Sequence, residues 1–216
     1  MKVLFDTSML YIDNPVKRGV YYFTLNLLKY LKKQSGLRII EYPIALHTGL
    51  NSIIRMPYDI TKLLIYKNVD LIFIPHGRTF THTLSLHVVS KPINIVIHDV
   101  FFLVLHSSTS YKLTMLSRYL LIKDAVMTRN NVIVTTVSMF SKWAITHYLG
   151  IDPSRVFVIY PGTDEIFKPV SREVAGRFVR EKYGIEGQYF IYSGAISTHK
   201  GVRDLIEAFL LFNKDR

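Results

Sequence analysis

Cysteine is absent from the 216 residues, which excludes disulfides and thiolate metal sites and fits a cytosolic or thermophilic setting. No apolar run approaches the roughly 18 residues of a membrane-crossing helix. Low-complexity tracts, internal repeats and heptads are missing too. Acidic residues are scarce, with 16 Asp and Glu against 27 Lys and Arg and a formal net charge of +11. Charged residues of both signs reach only 20 % and hydrophobic ones 49 %, so the chain is globular rather than disordered. The opening MKVLFDTSML has no small-residue cleavage site and holds Asp6 within its apolar stretch. It therefore reads as a first strand rather than a secretory leader, and a cytoplasmic protein is expected.

The positive charge is uneven. Residues 1–164 hold 18 Lys/Arg against 9 Asp/Glu, whereas residues 165–216 hold 9 against 7. A basic first domain suits an anionic membrane surface, a phosphorylated substrate or nucleic acid, although a plain solubility charge looks the same. The 14 tyrosines fall mostly inside strand and helix patterns. Core packing explains them better than base stacking, so nucleic acid is not the expected partner.

What the chain does have is seven short β-branched or aromatic segments, each ending on a polar or glycine residue. KVLFD stops at Asp6, RIIEYPIAL runs into His47, and DLIFIPHGR ends on His76, Gly77 and Arg78. INIVIHD ends on His98 and Asp99, VIVTTVS on Ser138, VFVIYPGTD on Gly162 and Asp164, and YFIYSG on Ser193 and Gly194. Helical stretches follow most of them. Continuous apolar runs between helices predict an α/β fold with a parallel, Rossmann-like sheet covered on both faces. Ligands of such sheets collect outside the carboxyl ends of the strands, where these polar residues fall.

The periodicity predicts a helix over 20–34 with Val20, Phe23, Leu27 and Leu31 on one side, and a long helix over 111–129 with Leu113, Leu116, Leu120 and Met127 as its apolar stripe. Ser138 reads as the N-cap of a helix through Leu149 that closes at Gly150. After Asp164 the pattern changes: Pro169 interrupts, a charged helix covers 171–183, and YFIYS then opens a strand followed by a helix over 202–212. The expected division is residues 1–168 as one domain, and 169–216 as a linker helix with the start of a second. One strand and one helix cannot enclose a core, so a second domain cut off after Arg216 is the favoured expectation.

Four segments taken in order resemble the GT-B glycosyltransferases of family 4, a group that includes many mannosyl- and glucosyltransferases. They are RGVYYFTLNLLKYL, IHDVFFL, VSMFSKWAITHYLGIDPSRVFVIYPGTDEIFKP and YFIYSGAISTHKGVRDLIEAF. The resemblance implies two Rossmann-like domains facing across a cleft, the acceptor on the first and the nucleotide-sugar on the second. It also implies hexose transfer from a nucleoside diphosphate to a hydroxyl, with retention at the anomeric carbon and no obligatory metal or other cofactor. The co-substrate would be GDP-mannose or a UDP-hexose, and the acceptor a glycan or a lipid-linked acceptor. The family's acidic motif and base pocket lie outside these residues, so this chain alone is expected to be inactive.

The same resemblance assigns roles. His98 would lie near the transferred sugar as the catalytic residue, with Asp99 beside it; a satisfied structural histidine is the competing reading. Gly19 would let a helix start approach phosphate, although Tyr21 stands where the family places a second glycine. Lys17 and Arg18 add charge next to it. Ser138 and Ser141 are caps first and ligand contacts second, and Gly162 belongs to a hinge or cleft loop. Ser193, Gly194, His199 and Lys200 would serve the donor. Breaking the bond to a nucleotide leaves extra negative charge on the diphosphate, and Lys200 at a helix start would stabilise it as it develops. His199 stands in for an arginine usual in the family. A non-catalytic acceptor-binding or partner subunit derived from such an enzyme is the alternative.

Overall fold

Parallel pairing runs through the whole sheet. The computed structural model describes residues 1–11, 19–45, 50–65, 68–77, 79–104 and 108–214. Six strands, β1 (Lys2–Asp6), β2 (Arg38–Tyr42), β3 (Leu71–Ile74), β4 (Ile93–Val96), β5 (Val132–Thr136) and β6 (Val156–Val158), lie in the order β2-β1-β3-β4-β5-β6. Every neighbouring pair is parallel. Helices α1 (Gly19–Leu31), α2 (Leu50–Ile65), α3 (Phe80–Val88), α4 (Thr109–Thr128) and α5 (Met139–Leu149) provide crossovers. This is the predicted α/β class with a Rossmann-like sheet.

Side-chain alternation divides the core in two. Leu4, Ile72, Ile74, Ile93 and Ile95 point to one face and meet Leu86, Ile122 and Ile145 of α3, α4 and α5. Val3, Phe5, Phe73 and Val96 point to the other and meet Leu28, Phe23, Leu27 and Leu31 of α1. Phe5 and Phe73, direct neighbours in register, stack with ring centroids 5.4 Å apart.

Two expectations change, and two helices are new. The stripe predicted for α4 faces largely outward, since Leu113, Leu120 and Met127 are exposed while Tyr119, Ile122, Ala125 and Val126 are buried. Apolar residues occur all round this helix, so two stripes compete, and the better fit to the sheet wins. Helices α2 and α3 are additional findings. The first contains Pro57, and the second, more than half Thr, His and Ser, buries Thr81, His82, Thr83 and Ser85 together with Leu86. Lastly, the expected strand over YFIYS forms no ladder: residues 188–197 belong to no helix or strand apart from a bend.

The chain divides into two units, Met1–Gly162 and Thr163–Arg216. The second holds α6 (Arg172–Tyr183) and α7 (Val202–Lys214). A lone extended segment cannot satisfy its own backbone groups, and no strand among the described residues of this unit offers it a partner. No described helix is long and apolar enough to cross a membrane.

Candidate functional site at the carboxyl edge of the sheet

Because all strands run the same way, their carboxyl ends share one edge. The switch point lies between β1 and β3, for the chain steps from β1 to β2 on one side and returns to place β3 on the other. Asp6 and His76 flank that point, His98 and Asp99 follow β4, and Ser138 follows β5.

His98 is half-buried and held from two sides. Its Nε2 lies 2.9 Å from the Pro75 carbonyl oxygen, which can only accept, so this nitrogen carries a proton. The Phe23 ring stands edge-on to the imidazole at 4.9 Å between centroids. That contact packs α1, one turn in from Gly19, against His98. A Cβ added at Gly19 would meet nothing within 4 Å, and its φ is not positive. The fold itself therefore makes no demand for glycine there.

Asp99 is exposed. Its Oδ1 accepts from the Phe101 amide at 3.1 Å, and its carbonyl accepts from the Tyr119 hydroxyl at 3.1 Å, so it anchors the loop after β4. Ser138 caps α5 as expected, accepting from the Ser141 amide at 3.0 Å and donating to the Ser141 hydroxyl at 3.0 Å. Gly150 closes that helix at φ 64°. Gly162 ends the first unit; its φ is not positive and an added Cβ meets open space. Between the loop after β4 and α5 lies a hollow of about 50 Å³ lined by Asp99, Phe101, Val104, Phe140, Ala144 and Tyr148. Trp143 borders it through Phe140 at 5.6 Å and stacks on His147 at 5.0 Å. His47, Arg78, Lys17 and Arg18 lie outside the described residues.

Sequence reasoning missed a buried polar group at the switch point. Asp6 is fully buried, and its Oδ2 lies 3.0 Å from Nε2 of the equally buried His82. Oδ1 accepts from the Ser8 hydroxyl and from the Ser8 and Ile44 amides at 2.9 and 3.0 Å. The His76 ring stands perpendicular to that of His82 at 5.0 Å. Burial alone would raise the Asp6 carboxyl. Attraction to and hydrogen bonding with His82, then His76 and the Ser8 hydroxyl, more than offset it and bring the pKa from 3.8 down to about 2. The clue in the sequence was TFTHTLSLH, a polar helix without formal charge set between apolar strands.

The second unit holds Ser193 and Gly194 in an exposed loop and His199 and Lys200 in an exposed 3-10 turn, Thr198–Lys200, just before α7. A Cβ on Gly194 would come within 2.7 Å of the Tyr192 hydroxyl, which donates to the Ala195 carbonyl at 2.9 Å. Among the described residues, no group of three or more His, Cys, Asp or Glu is placed to hold a metal ion.

A comparison with curated proteins finds no match. The family model described as Glycosyltransferase Family 4 matches residues 18–166, a span that takes in five of the six strands and the carboxyl edge apart from Asp6 at the end of β1. Fold and this match agree: the chain belongs to glycosyltransferase family 4.

Proposed function

We propose that the chain forms the acceptor-side domain, and the opening of the donor-side domain, of a retaining hexosyltransferase of the mannosyl- and glucosyltransferase group. It would move a hexose from a nucleotide-sugar, GDP-mannose or a UDP-hexose, to a hydroxyl of a glycan or lipid-linked acceptor. The observation that carries the reading is the gathering of His98, the start of α1 and the Ser138 cap on one carboxyl edge beside the switch point. His98 would contact the transferred sugar, with its Nε2 proton committed to Pro75. The open space at Gly19 suits a backbone approach by an anionic group at a helix N-terminus. Asp99 and Ser138 would shape the acceptor side, and Gly162 the loop that ends it.

Ser193, Gly194, His199 and Lys200 would engage the donor. The side chain of Lys200 is solvent-accessible and matches the family's diphosphate-binding lysine. No described helix is long and apolar enough to cross a membrane, and the basic surplus of the first unit suits peripheral attachment to anionic lipid on the cytoplasmic face. The 216 residues alone would turn over little or nothing. In the complete protein, Lys200→Ala should lower nucleotide-sugar turnover by roughly tenfold or more, and unchanged kinetics would remove it from the mechanism. Saturation-transfer NMR against a panel of nucleotide-sugars identifies the donor.

A further inference from the structure

Resting on the reading of His98 as the residue beside the sugar, we propose that Asp6, His82 and His76 are positioning residues. Through the loop after β3 they fix the orientation and proton placement of His98.

The loop joining β3 to α3 is held at several points. At its start the Pro75 carbonyl accepts from His98 Nε2 at 2.9 Å. At Gly77 it presses onto β4, where a Cβ would fall 2.8 Å from Cδ1 of Ile95, three residues before His98. Thr79 caps α3, its hydroxyl accepting from the His82 amide at 3.3 Å. Between these points His76 sets its ring against His82, and His82 reaches Asp6. The path from the end of β1 to the imidazole after β4 is therefore continuous, running Asp6, His82, His76, Pro75, His98.

Packing alone does not call for this arrangement. An apolar residue at the end of β1 would fill the space without taking a carboxylate out of water, and buried pairs rarely outdo such packing in stability. What the carboxylate supplies is a junction. It joins the turn after β1 through Ser8, the segment after β2 through Ile44, and α3 through His82. Ser8 extends the junction by accepting from the Ala45 amide at 2.7 Å. Three segments that meet at the switch point are thus locked together, and the Pro75 carbonyl inherits their rigidity. A partner one step removed from a working side chain sets tautomer and aim in this way.

The test reads the imidazole directly. Long-range proton–nitrogen correlation spectra of the chain in mildly alkaline buffer distinguish protonated from bare ring nitrogens, and His98→Gln assigns the signal. The wild type should show His98 with its proton on Nε2. In Asp6→Asn and in His82→Leu the proton should redistribute between the two nitrogens while the amide spectrum stays native. An unchanged His98 signal in either folded variant overturns the proposal. If both variants unfold, Gly77→Ala decides, because it lifts the loop from β4 and leaves the Asp6–His82 pair in place. Redistribution there supports the route, and a wild-type signal refutes it. In the complete enzyme, His82→Leu should lower kcat on the order of tenfold with little change in donor KM. The tautomer measurement needs no sugar donor. If it responds as expected while His98→Ala leaves transfer intact, the role given to His98 fails and the positioning set stands.

Discussion

Helices α5 and α6 obey the same local grammar and meet opposite fates. Each begins at a serine whose hydroxyl accepts from an amide three residues on, Ser138 in one and Ser171 in the other. Each closes on a left-handed glycine, Gly150 at φ 64° and Gly184 at φ 66°. Yet α5 buries Ser141, Ala144, Ile145 and Leu149, whereas α6 buries nothing. The strands repeat the contrast. INIVIHD enters a ladder between two neighbours and disappears into the core, while Ile191 of YFIYSG is 83 % exposed and unladdered. Caps and apolar runs nominate an element, but a neighbouring surface has to receive it.

The sharpest way to break this comparison is to delete matched side chains. Ile145→Ala should cost about 2–5 kcal/mol in urea unfolding, while Ile191→Ala should stay within about 0.5 kcal/mol of wild type. Equal losses would mean that the second unit has a core of its own.

Acid should divide the units next. The folded pKa of Asp6 is depressed, so its contribution is complete above the unfolded value of 3.8 and is lost as pH falls towards about 2. The size is about 2 kcal/mol for the first unit. Asp6→Asn should remove that slope, which unfolding titrations between these limits would detect.

Gly77→Ala should destabilise the first unit by about 1–3 kcal/mol, because Ile95 is fully buried and has little room to give way. Thermal unfolding measures it. The smallest effect belongs to the caps. Ser138→Ala should cost about 1 kcal/mol of global stability, whereas Ser171→Ala should change only local amide exchange in α6.

Much of this was legible in advance, for physical reasons. Six strands declared themselves as apolar runs stopped by polar residues, and His98 was conspicuous because it ends one of them. α1 and α5 carried clean periodicity or caps. α4 did not, because Leu113, Leu120 and Met127 satisfy a helical period as well as Tyr119, Ile122 and Val126 do. α3 hid because its buried face is mostly polar, and the Asp6–His82 pair hid because no local rule joins the end of β1 to the middle of a later helix. Contacts between distant segments are a property of topology, which periodicity does not encode.

Trp143 is the only indole in the chain, and it sits half-exposed on α5 at the rim of the aromatic hollow. The molecule thus carries an intrinsic optical reporter beside that hollow. Its emission follows the surroundings of that rim without any label, so titrating candidate acceptors against the native fluorescence would rank them before a single turnover is measured.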